Sequence, residues 1–401
     1  MDYPNSNEKK QNNKNDDFLV GWNLREDNTH QNYTIDGSYY NKYLRSPFYY
    51  QSFDMNLISP IYNDEKPTTF KLNIFNYWYN YNRGFLNPEV RYYNGIVLLQ
   101  GIVNAGKDTT IGFLQELYRP TSRLIFNCNN HDNISRVDID LDGRIQWIAG
   151  SRSYGWVSLS GILYVNMPSK LTNTKLIQLD SSIIIKKNIV ANDKAYIMGN
   201  DQSYDHYESP IVSEIDGIII IQGLVRKNNR NNNFNIIGKL PSNYQPTHKM
   251  IFNCNSHENT ARVDIDNNGN IIWKDGLEED IDNRQDIDNL LSLSNIFYSI
   301  TNNKLLSLYN GWEKFSDIYA PPSYRVYNNM VIIQGILKNN PSSNIIAMLP
   351  IEIRPRERIV FGTNSNKNNT RIDIFPDGNI RVILRDNNVS WISLCGIAYN
   401  L

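Results

Sequence analysis

The chain is poor in cysteine, histidine and net charge, and it has no long apolar run. Three cysteines in 401 residues cannot build a disulfide framework, and an odd count suits a reducing compartment, so an intracellular location is favoured. Five histidines leave little material for acid–base chemistry. None stands in a Gly-x-Ser-x-Gly or His-x-x-x-His setting, so no catalytic residue and no cofactor is nominated and the chain is expected not to be an enzyme. Forty Lys plus Arg against 41 Asp plus Glu give a net charge of −1, which supplies no field to draw nucleic acid or anionic lipid. The longest apolar runs, around Ile218 to Ile221 and Ser182 to Ile185, fall far short of the roughly 20 residues of a membrane span. Met1 to Asp17 lacks the apolar segment of about 7–15 residues that a secretory signal needs and reads as a disordered leader.

What is present points to β-structure. Aromatics make up 12% of the chain, with 26 Tyr, and roughly one residue in seven is Asn, a mixture of strand formers and polar loop residues. At about 150 residues per domain the length predicts two or three domains.

Self-comparison shows a pattern used three times. Its marks are an apolar strand ending in Gln-Gly, a Pro-containing turn, a strand ending in Phe, an Arg-x-Asp strand, a turn carrying Gly, and a closing strand near Ser-Leu. They fall at Gln100-Gly101, Phe126, Arg136-Val137-Asp138, Asp142-Gly143 and Ser158-Leu159; at Gln222-Gly223, Phe252, Arg262-Val263-Asp264, Asn268-Gly269 and Ser292-Leu293; and at Gln334-Gly335, Phe361, Arg371-Ile372-Asp373, Asp377-Gly378 and Ser393-Leu394. The step from Phe to Arg is ten residues each time. Period-two alternation, as in Arg136 to Asp140, marks strands with one buried face, and the Asx-Gly dipeptides supply the positive φ of tight turns. The expected fold is therefore all-β: three tandem β-sandwich (jelly-roll-like) domains after a partly disordered N-terminal arm. The boundaries are a leader at 1–17, a Tyr-rich arm at 18–71, copy 1 at 72–167, copy 2 at 168–302 with an insertion at 276–288, and copy 3 at 303–401. Each copy is long enough to hold its own core, so the copies are expected as beads rather than a superhelix.

Several motifs invite chemistry. Trp78 and Trp312 each stand 23 residues before the Gly of Gln-Gly, and Trp156 and Trp391 open the closing strands; copy 2 lacks both and carries Leu290 in the closing strand. The joint loss suggests rings that pack together or on a common surface. The alternative is a ligand platform formed by Trp78, Trp156, Trp312 and Trp391. Gly101 to Asp108 is nearly a phosphate loop, but Asp108 stands where a hydroxyl belongs. Asp138 to Gly143 and Asp264 to Gly269 match half of a calcium loop and lack its closing Glu. Cys128–His131 and Cys254–His257 offer two zinc ligands per copy where a structural site takes four. No metal is assigned. Arg136, Arg262 and Arg371, each two residues from an Asp, read as a scaffold ladder on one strand face.

Taken with Leu308-Tyr309-Asn310-Gly311-Trp312, Tyr319-Ala320-Pro321, Leu349-Pro350, Arg354-Pro355 and Trp391 to Ile397, the pattern resembles the C-terminal head (receptor-binding) domains of phage tail fibres. That resemblance implies a β-sandwich that forms a homotrimer and binds host glycans or proteins; it fixes no binding residue. The Asn-rich runs at Asn12 to Asn15 and Lys227 to Asn233 are similar in style to malaria-parasite proteins, where such a head would be a reused scaffold. The expected function is a non-catalytic structural or scaffolding protein that binds a protein partner through the loops of the repeated domains, with no nucleic acid and no membrane span. The alternative is a lectin-like adhesin that binds glycans on surface aromatics.

Overall fold

A computed structural model describes residues 66–401 except 76, 169–172, 181–182, 186–206, 228–234, 277–289, 341 and 367. The leader, nearly all of the Tyr-rich arm and the acidic insertion lie outside the described residues. Among the described residues the protein is all-β, with no α-helix and only three one-turn 3₁₀ segments.

In the first repeat a four-stranded sheet runs in the order Thr68–Lys71, Glu89–Tyr93, Ile96–Gln100, Ile162–Val165. A five-stranded sheet runs Asn73–Ile74, Thr110–Phe113, Arg144–Gly150, Asn133–Ile139, Leu124–Asn130, and a small sheet runs Trp156–Ser158, Ile102–Asn104, Tyr79–Asn80. The same orders recur in the stretches 174–299 and 304–400, where the last has a four-stranded second sheet. Thr68–Lys71, expected as the tail of the arm, is thus an edge strand paired with Glu89–Tyr93.

The pattern of alternation explains the layers. Val90, Val97, Leu99 and Tyr164 of the first sheet face Ile111, Phe126, Val137 and Ile145 of the second, closing one apolar core. Equivalent cores form around Phe252 and Phe361. Burying each such side chain contributes about 1.5–3 kcal/mol, so every repeat holds a core of its own.

The Gly of each Gln-Gly mark is needed for backbone reasons. Gly335 has φ +117°, and a Cβ there would lie 2.5 Å from the Pro321 carbonyl oxygen. The chain must pass this close because Ile336 N–H donates to Ala320 O at 2.9 Å.

The expectation of beads is corrected. The opposite faces of the first sheets are apolar as well: Ile96, Leu98, Leu163 and Val165 pack with Ile215, Ile218, Ile220 and Phe297, and with Met330, Ile332 and Ala398. Strands buried on both faces read as continuous apolar runs, as Ile218 to Ile221 does. The inner strands Leu124–Asn130, Met250–Ser256 and Ile359–Ser365 touch one another pairwise. The three repeats therefore close on each other in a ring with approximate three-fold symmetry.

Candidate interaction surfaces

The repeated polar marks sit on the seams between repeats. Ser158 donates to the Val360 carbonyl at 2.7 Å, Ser292 to Ile125 at 2.6 Å and Ser393 to Ile251 at 2.6 Å. Each Gln of Gln-Gly accepts from a backbone N–H of the preceding repeat around the ring: Gln100 from Asn400 at 2.8 Å, Gln222 from Val165 at 3.0 Å and Gln334 from Ser299 at 2.8 Å. Buried acceptors and donors must be paired, so Gln and Ser recur because each satisfies a neighbour's backbone.

The Arg-x-Asp pairs do the same with charge. Arg136 and Arg123 clasp the buried Asp138, with Arg136 Nε at 2.8 Å and Arg123 Nε at 2.9 Å. Burial alone would raise the Asp138 carboxyl; the two guanidinium groups outweigh it and hold it below the usual range. Arg136 then reaches Tyr207 Oη at 3.3 Å and His257 Nδ1 at 2.9 Å in the second repeat. Arg371, paired with Asp373, reaches His131 Nδ1 at 2.8 Å in the first. Burial and then Arg371 lower the basicity of His131. Arg262, paired with Asp264, lies over the ring of Trp391, 4.8 Å from its centroid.

Asparagine lines the axis. Asn127 N–H donates to Asn295 Oδ1 at 2.7 Å, and Asn364 Nδ2 to Asn253 Oδ1 at 3.2 Å. Read as loop composition, these residues gave no sign of burial.

The four tryptophans are buried, at 4, 6, 4 and 8% exposure for Trp78, Trp156, Trp312 and Trp391. This corrects the platform reading, because no ring face is open for a sugar to stack on. Nor do the rings of one repeat share a cluster: Trp78 lies in the core of the first repeat, while Trp156 packs with Ile102 and with Val360 across a seam. Leu290 takes the place of Trp156 against Ile125, Leu224 and Tyr207.

The metal-like motifs are occupied by protein. Asp140 and Asp142 lie against Arg123 and Arg144 at 3.3 and 2.8 Å, and Asp266 accepts from the Asn268 and Asn270 amides. Cys128 and Cys254 are buried in the cores, their thiols pushed up by burial. The partner histidines sit at hairpin tips with φ +64° and +53°.

One end of the first and of the third repeat is built of loops among the described residues. In the first, Arg152 holds the Gly106 carbonyl at 2.9 Å, Tyr154 donates to Asp132 at 3.0 Å, and Trp78 Nε1 donates to Asp108 O at 3.0 Å. Here Tyr77 and Tyr154 are exposed. The matching end of the third repeat joins Asn339 to Val389 and Arg385 to Ser343.

These features define a class: all-β repeats closed on one another within a single chain, with loops gathered at one end of the first and third repeats. No family model and no curated protein matches the sequence. Among solved structures, the crystal structure of the receptor binding protein (gp15) of Listeria phage PSA is similar over 25% of this chain and 66% of that chain, at 16% identity and a TM-score of 0.23. No helix among the described residues is long and apolar enough to cross a membrane.

Proposed function

We propose that the chain is a non-catalytic structural or scaffolding protein that binds a protein partner through the loops of its three repeats. The observation that carries this reading is the division of labour between residues. Those that recur in all three repeats, the Gln, the Ser and the Arg-x-Asp pair, are engaged in cores and seams, whereas among the described residues the loop ends of the first and third repeats carry different contacts and exposed aromatics. Tyr77 is 78% exposed and Tyr154 44%, and exposed aromatics of this kind are enriched where proteins bind.

The homotrimer expected from the resemblance is, in this reading, internal. Three seams close within one chain, so the protein is a monomer of 46.6 kDa rather than an assembly of three such chains. Light scattering behind size exclusion tests this, and a mass of three chains refutes it. For the binding role, a Tyr77→Ala/Tyr154→Ala protein and the parent are compared for partners crosslinked in the native source and on a glycan array. Loss of a specific protein crosslink in the variant supports the reading. Glycan binding that the variant loses replaces it with the lectin.

A further inference from the structure

The three seams differ beside the Gln-Gly glutamine. Between the third and first repeats, Glu89 takes a hydrogen bond from Gln100 Nε2 at 2.6 Å and pairs with Arg356. Between the first and second, Glu208 accepts from Gln222, Ser122 and Thr121. Each of these seams thus sets one carboxylate on the amide nitrogen of its Gln-Gly glutamine. Strand register places Ser323 opposite Gln334 as Glu89 is opposite Gln100. Ala320 accepts from Ile336 N–H as Glu208 does from Leu224 N–H. Neither residue carries a carboxylate. Instead a cavity of about 210 Å³ opens there, lined by Gln334, Ser323, Thr247 and His248 with Met250 and Ala320 among its apolar wall residues.

We propose that this cavity binds a carboxylate carried on a short apolar stem, seated where the other seams place Glu89 and Glu208. Gln334 Nε2 gives one hydrogen to the Ser299 carbonyl at 3.0 Å, and an amide nitrogen has two. In the first repeat the equivalent Gln100 gives an Nε2 hydrogen to Glu89. Ser323 adds a hydroxyl donor, and the Thr247 hydroxyl, 3.0 Å from His248 Nδ1, lies at the rim. The floor is buried, with Gln334 at 6% and Ser323 at 4% exposure, so a charge-assisted bond there escapes competition from bulk water. The cavity is far larger than the space of a single water, and its apolar wall favours a stem of a few methylenes. The inference is independent of the proposed partner binding.

The test titrates full-length protein by calorimetry with butyrate and with N-acetylglutamate methylamide, against butanol and N-acetylglutamine methylamide as uncharged controls. Saturable binding of at least one acid at or below about 10 mM, with at least tenfold weaker binding of its control, is expected. Binding of butyrate identifies a free small acid as the ligand; binding of the glutamate derivative alone identifies an acidic side chain of a protein. Ser323→Glu supplies the missing carboxylate from within and should abolish binding while keeping or raising Tm. Ala320→Glu, which copies Glu208, is the second variant should the first fail to fold. No saturable binding by the parent protein, equal binding of the controls, or unchanged binding in the folded variants overturns the proposal.

Discussion

Replacing Asn328 by Asp should stabilise the protein. Arg91 is fully buried, and its guanidinium has no carboxylate partner: it donates to the Asn328 and Tyr327 carbonyls, while Nε and Nη1 lack partners. Burial lowers its pKa to about 10. A depression of about 2.5 units from 12.5 corresponds to roughly 3 kcal/mol held against the charged form. The neighbouring seam shows the remedy. Arg325, at the equivalent strand position, pairs with Asp216 at 3.0 Å, and Asp216 occupies the turn position that Asn328 holds in its own hairpin. Both turn residues have positive φ, +50° and +43°, which Asp tolerates nearly as well as Asn. The new ion pair should return about 1–3 kcal/mol, read as an increase in the denaturant midpoint without a change in slope. In the Arg91→Met background the gain should vanish. The new carboxyl is depressed in the folded state, so the gain is present at neutral pH and is lost as pH falls through its folded pKa. An equal gain in both backgrounds, or none in either, would refute the account of Arg91.

Three other outcomes follow from the seams and turns. Ser393→Ala removes the donor to the Ile251 carbonyl and should cost about 1–3 kcal/mol in chemical denaturation; a cost under about 0.3 kcal/mol would show the bond to be idle. Gly335→Ala forces a side chain into φ +117° against Pro321 O and should lower stability by more than about 1–3 kcal/mol, with circular dichroism melts as the measure. Asp140 is pushed up to about 6 by burial, against the pull of Arg123. A raised carboxyl is costly to ionise when folded, so this group adds stability as pH drops from 7 to 5, by about 1–1.5 kcal/mol, and approaches roughly 3 kcal/mol only below about pH 4. Asp140→Asn should flatten that part of the pH profile, and an unchanged profile would count against the assignment.

Strand positions were legible because period two and the Asx-Gly turns are local signals. The two-faced burial of Ile218 to Ile221 was visible as an unbroken apolar run, yet nothing in the run says what covers its second face. The recurrence of Gln100, Gln222 and Gln334 was plain, but their function was not, since each accepts from a residue of another repeat, 300 positions away in the case of Asn400. The tryptophans left two readings open because a ring that fills a seam and a ring that greets a ligand have the same spacing in sequence. Asn364 carried no signal of burial, as its neighbours on the strand are also polar, and Asn127, between Phe126 and Cys128, falls on the face that alternation assigns to solvent.

A ring made from separate identical chains must accept every substitution three times over. Here the joints are encoded at different places along one polypeptide, so each is free to specialise alone. The position that is Arg91 in one repeat is Ser213 and Arg325 in the others, and Glu89 answers to Ile211 and Ser323. Beside the glutamine, one joint is bolted by an ion pair, another by hydroxyls, and the last keeps a cavity lined by Gln334, an asymmetry that self-assembling copies are unable to maintain.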